Sequence, residues 1–422
     1  MAASSFHFLH AADIHLDSPL RGLSLRGAEA AAFTGASRQA LDNLVSTAIA
    51  EKVAFVVIAG DIYDGDWRDF STGHVFVRQM GRLARENIPV FMLRGNHDAL
   101  SVISRDLPLP ENVHNFSVRK VESVELPEIG VVLHGRGFAQ RHVPENMALA
   151  YPPARQGLFN IGVLHTSLTG REGHEVYAPC TVADLERTGY DYWALGHIHQ
   201  REVVRAQNPA IVFPGNLQGR HARETGAKGA TLVRVVDGRI ADMTALTLDA
   251  ARFASLNLDL TGLTSPADLH GRLRIALAEA VEQADGRPLA VRLTLTGRTP
   301  LADHLRADPG QLQEDVVALA AAAGDQVLVE KVSIRVEAPP AAVPAQLADF
   351  EQILAEVTAD PAVRADIGAT IRDLYGKAPK PVLKALGLDE ADLEAVIAEA
   401  LAEAEQAIIA RLRDPAGEGS AS

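Results

Sequence analysis

Val56-Val57-Ile58-Ala59-Gly60-Asp61-Ile62-Tyr63-Asp64 is the stretch on which the fold of this chain turns. An apolar run that stops at Gly-Asp has the pattern of a strand buried on both faces, ending at a carboxylate that has no packing role. Asp61 offers two oxygens with several lone pairs, enough to bridge two cations, and Gly60 lets the backbone turn with no side chain in the way. The same pattern recurs on either side. Phe6 to Ala12 reads as a strand that delivers Asp13-Ile14-His15, and Ile88 to Leu93 as one that runs into Arg94-Gly95-Asn96-His97-Asp98. Between them, residues 37–51 and Val75 to Asn87 carry apolar positions at the helical period. Strand-helix-strand repetition predicts an α/β sheet, in which ligands gather beyond the carboxyl ends of the strands.

Further along, strands are expected at Gly130 to His134, at Asn160 to Leu164 ending on His165, and at Tyr190 to Leu195 ending on Gly196-His197-Ile198-His199. Ile211 to Pro214 leads into the loop Pro214 to His221, and Ala230 to Val236 into a hairpin turn at Asp237-Gly238. From about Ala250 strands and helices continue without ligand-like clusters, and a small α+β domain is expected over 249–338. A Pro-rich linker follows at 339–344, then a helical region at 345–414 with Asp389 as a candidate cap, and a disordered tail at 415–422.

With 422 residues, 47% hydrophobic and 22% charged, the chain is expected to form two or three soluble domains. One cysteine, Cys180, cannot pair within the chain, and about 18 consecutive apolar residues occur nowhere, so a cytoplasmic protein with no membrane contact is expected. The net charge of −14 is concentrated at the end: residues 341–422 hold 15 acidic and 7 basic side chains, leaving −6 for the first 340. Neither part is basic, which argues against nucleic-acid binding by charge alone.

Taken singly, Asp13-x-His15, Gly60-Asp61-x-x-Asp64, Gly95-Asn96-His97-Asp98, His165 and Gly196-His197-x-His199 are weak signals. Together they place a polar cluster at the end of each of five strands. The ordered set resembles the signature of calcineurin-like metallophosphoesterases. The opening His10 to Pro19, with Asp17-Ser18-Pro19, resembles their DNA-repair exonuclease branch, as do Tyr177 to Cys180, Tyr190 to His199, and Pro214-Gly215-Asn216-x-Gln218-Gly219-Arg220-His221. Within that branch the chain is similar to the bacterial YhaO-like members, relatives of the SbcD nuclease subunit.

The resemblance implies a layered α/β sandwich over 1–248, followed by the α+β domain as a DNA-binding cap and then the helical region. It implies a two-metal site. Asp13, His15, Asp61 and His199 would hold one ion and Asp61, Asn96, His165 and His197 the other. His97 would be the general acid and Asp98 the residue that orients it. Mixed nitrogen and oxygen donors suit manganese, iron or zinc, and manganese is the family's choice. Some nuclease relatives carry a histidine where this chain has Asp64, which leaves that residue's role open. With Asp64, Arg220 and His221 make up the candidate substrate contacts. His7, His10, His74, His134, His174 and Arg94 carry no assigned role. The implied activity is a DNA nuclease, exonucleolytic or also endonucleolytic, with hydrolysis of nucleotides or other small phosphoesters as the alternative. Implied partners are DNA, an SMC-like ATPase docked on the helical region, and a second copy of the chain.

Overall fold

The computed structural model of the chain describes residues 5–18, 33–64, 70–99, 108–168, 177–339, 345–379, 383 and 393–413. In chain order the first unit carries β1 (Phe6–Ala11), α1 (Ala36–Ala50), β2 (Phe55–Ile58), α2 (Phe70–Arg85), β3 (Val90–Met92), β4 (Val113–Asn115), β5 (Glu122–Leu126), β6 (Val131–Gly135) and β7 (Phe159–His165). It continues with α3 (Val182–Glu186), β8 (Tyr192–Gly196), β9 (Glu202–Arg205), β10 (Ala210–Phe213), β11 (Gly229–Val236) and β12 (Arg239–Thr247). These form two six-stranded sheets, ordered β12-β11-β1-β2-β3-β4 and β5-β6-β7-β8-β10-β9.

Alternation along each strand sorts the apolar side chains into layers. Phe8, Phe55, Val57 and Phe91 of the first sheet meet Leu133, Ile161, Tyr192 and Val212 of the second in one core. Phe8 stacks on Phe55 at 5.0 Å and meets Tyr192 edge-on at 5.2 Å. The opposite face of the first sheet, Leu9, Val56, Ile58 and Met92, is covered by Leu41, Leu44, Phe76 and Met80 of α1 and α2. A third cluster around Trp193, Leu195 and Phe213 covers the second sheet with Tyr151 and Leu185. β1, β2 and β3 run parallel, as do β7 and β8, so their carboxyl ends open on the same site. The β11–β12 hairpin turns at Asp237 and Gly238, both at positive φ (51° and 68°), as a two-residue turn requires.

The second unit comprises Phe33 and the described residues of Arg220–Gly226 and Arg252–Ser422, so the end of the Pro214-to-His221 loop belongs to it. Its sheet joins β13 (Arg252–Asp259), β14 (Leu289–Arg298) and β15 (Val327–Glu337), with α4 (Pro266–Ala284), α5 (Ala302–Ala307) and α6 (Pro309–Ala323) in the crossovers. Both strand pairs are parallel, a detail that periodicity does not carry. Leu269, Leu273 and Val316 pack on Val291, Leu293 and Leu295. Ser255, Asn257, Thr294, Thr296, Ser333 and Arg335 alternate with this core and are not buried. α7 (Ala345–Ala359), α8 (Pro361–Lys377) and α9 (Leu393–Arg413) follow, Arg411 of α9 donating to the carbonyl of Ala307 on α5. Asp389 and residues 415–422 lie outside the described residues, as does nearly all of the 339–344 linker. No helix among the described residues is long and apolar enough to cross a membrane.

Candidate metal centre

Every expected ligand sits at or just beyond the carboxyl end of a parallel strand, and the backbone there is bent to bring the side chains inward. Asp13, His15, Asp61 and His197 all have positive φ (49°, 44°, 53° and 98°). Such angles cost non-glycine residues free energy and cluster at functional sites. The loop after β1 runs beside the loop after β2: the N–H groups of Asp13, His15 and Leu16 donate to the carbonyls of Gly60, Asp61 and Ile62 at 2.8–3.0 Å. The two sheets are joined where the Asp13 carboxylate accepts the N–H of His197 at 3.0 Å. Glycines make these approaches possible: a β-carbon on Gly60 would lie 2.6 Å from His165 Nδ1, and Gly60 itself has φ of 95°.

Asp13, His15 and His199 offer donor atoms that all lie within 4.8 Å of one another, and so do Asp61, His165 and His197. The groups adjoin through Asp61, whose Oδ2 lies 3.4 Å from His165 Nε2 and 3.9 Å from His15 Nε2. Asn96 Oδ1 lies 2.9 Å from His165 Nε2. The seven residues of the expected ligand set are thus brought together, with Asp61 in the middle. His165 Nδ1 lies 2.9 Å from the carbonyl of Ala59, so Nδ1 carries a proton and Nε2 is the nitrogen that faces Asp61 and Asn96.

Asp13, His15, Asp61, Asn96 and His165 are buried. Burial opposes charge on Asp61, but His165, His97 and His15 hold its carboxyl well below the usual range. Burial likewise opposes charge on His165, but Asp61 and Asp13 raise its imidazole to about 9. Buried carboxylates this close need cationic neighbours. Two divalent ions meet that need, and the donor set of carboxylate, imidazole and amide fits manganese, iron or zinc.

His97 Nδ1 lies 2.9 Å from Asp64 Oδ1. Asp98, expected to orient His97, is buried and accepts the backbone N–H groups of Ile62, Tyr63 and Gly95 at 2.9–3.1 Å. It fixes the loop that carries both Asp61 and Asp64. Burial and the nearby Asp61 raise its carboxyl to about 6 against those three donors. Asp64, a candidate substrate contact, has Oδ1 facing His97, and its Oδ2 accepts from Ser18 Oγ at 2.6 Å. Ser18 was missed in the sequence as a site residue, since only its place beside Asp17 in a motif marked it. Arg220 and His221 belong to the second unit, where the buried Glu224 accepts the N–H of Arg220 at 2.7 Å and lies 3.4 Å from His221 Nε2.

Residues 6–201 match the family of calcineurin-like phosphoesterases, and residues 253–337 match the middle domain of metallophosphoesterase YhaO. The chain is 36% identical over 316 residues to an uncharacterized metallophosphoesterase, YhaO, of Bacillus subtilis (strain 168), covering 74% of this chain and 76% of that one. Among solved structures, TT1561 of Thermus thermophilus is similar at a TM-score of 0.34 and 12% identity, over 58% of this chain and 100% of that one. A dimetal phosphatase from Danio rerio is similar at 0.36 and 13%, over 56% and 94%.

Proposed function

Because this chain belongs to the calcineurin-like metallophosphoesterases, with YhaO as a relative, we propose that it is a two-metal-dependent DNA nuclease acting in DNA repair. The observation that carries the phosphoester chemistry is the pair of buried donor groups sharing Asp61, with the half-exposed His97 beside them. Asp13, His15, Asp61 and His199 would hold one ion and Asp61, Asn96, His165 and His197 the other, with manganese as the proposed metal. Bound there, two divalent ions supply an acidified water and a positive clamp for the phosphate oxygens. The protein's own part is the proton. Asp64 aims the ring of His97, and His97 gives a proton to the departing oxygen as its bond to phosphorus breaks.

DNA is favoured over a small ester by the added domain at 253–337, whose sheet presents hydroxyl, amide and guanidinium groups that can reach a polynucleotide backbone. The net charge of −14 favours the alternative, a phosphatase or phosphodiesterase for nucleotides and other small phosphoesters. In the nuclease reading, DNA is gripped together with a partner, an SMC-like ATPase or a second copy of this chain, docked on the C-terminal helices. Support for that docking is the exposed Phe350, Ile353 and Val357 along α7. The deciding experiment is hydrolysis of end-labelled single- and double-stranded DNA beside bis-p-nitrophenyl phosphate, with manganese and with chelator, using wild type and His97→Asn. Metal- and His97-dependent loss of DNA supports the nuclease. Turnover of the small diester with DNA left intact moves the assignment to the alternative.

A further inference from the structure

Asp17-Ser18 follows the ligand His15 after one residue, Leu16, and the metal site itself does not account for it. Asp17 is at φ 58° and is met by polar groups of two helices. Its carboxylate takes Arg38 at both oxygens, Nε to Oδ1 at 2.7 Å and Nη2 to Oδ2 at 2.5 Å, and also accepts Thr72 Oγ1 at 2.5 Å. Its own N–H donates to Ser37 Oγ at 3.0 Å. Ser37 and Arg38 begin α1 and Thr72 begins α2, so Asp17 ties the loop to the first turns of both helices. A bidentate guanidinium–carboxylate pair fixes orientation as well as distance. Ser18, placed by that tie and by its N–H bond to the carbonyl of His15 at 3.0 Å, donates its hydroxyl to Asp64 Oδ2 at 2.6 Å. The other oxygen of Asp64 faces His97 Nδ1 at 2.9 Å.

We infer that Ser18 is a positioning residue for His97, acting through Asp64, and that the Asp17–Arg38–Thr72 tie is the fixed point from which it acts. The Ser18 hydroxyl holds Oδ2 of Asp64, which helps keep Oδ1 aimed at the imidazole. The inference rests on the phosphoesterase reading for its kinetic consequence but not for its structural one, and the test separates the two.

Ser18→Ala and Ser18→Thr are compared with wild type. In imidazole-detected 15N spectra of the metal-free protein, the Nδ1 proton of His97, assigned by its loss in His97→Asn, should be visible in wild type and Ser18→Thr. In Ser18→Ala it should be lost to exchange. With manganese, Ser18→Ala should lose about tenfold in kcat on a dinucleotide, whose alkoxide must be protonated to leave, the scale of one charge-assisted hydrogen bond. It should lose little on bis-p-nitrophenyl phosphate, whose phenolate leaves unaided, and KM and manganese affinity should be unchanged. Persistence of the His97 signal in Ser18→Ala overturns the inference, and so does equal loss on both diesters or a parallel loss of manganese binding. If wild type hydrolyses neither diester, the phosphoesterase reading fails, while the spectra still decide the role of Ser18.

Discussion

Replacing Gly95 with alanine probes a close packing contact in the centre. A β-carbon at position 95 would lie 2.8 Å from both Cγ and the backbone nitrogen of Asp61, and nearer still to Oδ1. Ordinary contact begins at 3.4 Å, so the two segments must part by at least about 0.6 Å, the difference between those distances. Functional groups generally tolerate about 0.5 Å before their geometry is lost. The segments cannot part freely, because Gly95 N–H and the Ile62 and Tyr63 N–H groups are all tied to the same Asp98 carboxylate. The expected outcome is a weakening of manganese binding by ~10–100-fold, the scale for losing the support of a ligand, with a cost to stability of ~1–3 kcal/mol from overpacking. Gly81→Ala is the control: it lies in α2 with no atom within 4 Å of the new carbon, and should stabilise by ~1 kcal/mol through helix propensity. Titration calorimetry with manganese and thermal melting in chelator read the two effects. Wild-type manganese affinity in Gly95→Ala would refute the reasoning.

Three further outcomes are expected. Asp61→Asn should weaken binding of both ions, whereas His97→Asn should bind metal normally and lose turnover; equal metal loss in the two variants would show that their roles are not distinct. Asp98→Asn should cost ~1–3 kcal/mol in chemical unfolding of the metal-free protein, because an amide nitrogen meets backbone donors that the carboxylate now accepts; an unchanged midpoint would contradict that role. His10 lies between the sheets with Nδ1 2.9 Å from Tyr192 Oη and Nε2 3.1 Å from the carbonyl of Leu195, and burial pushes its imidazole down from 6.5 to about 3. The unfolded chain therefore binds a proton that the fold refuses, and stability falls as pH drops from 6.5 toward 3, by up to ~1.4 kcal/mol per unit. His10→Gln should flatten that slope between pH 6.5 and 5, and an unchanged slope in urea unfolding would count against the assignment.

The strands that carry the site were legible because each is an apolar run ending in a polar cluster, so β1, β2, β3, β7 and β8 could be placed from local sequence. The short edge strands β4, β5 and β9 were not, since a half-buried edge carries little apolar signal: all of their residues are at least partly exposed. Helix α2 begins at Phe70 and not near Val75, because Ser71 to His74 offer no apolar residue to extend the helical period. His10 and His134 gave no sign of a role in the sequence. Both prove to be hydrogen-bonded core residues, His134 stacked on Tyr190 at 4.5 Å.

By itself the sequence determined the ligand types and their order along the chain. Each cluster is contiguous, and each sits where a buried strand must end. Only the tertiary structure brought Asp64 beside His97. Asp98 is its neighbour in the chain, but it is turned into the backbone donors of the β2 loop, while Asp64, one strand earlier, reaches the ring. The hydrogen-bond partners of Asp17 and Ser18 emerged in the same way. Their partners Arg38, Thr72 and Asp64 come from three separate segments, and hydrogen bonds between distant segments leave no periodic trace in a sequence.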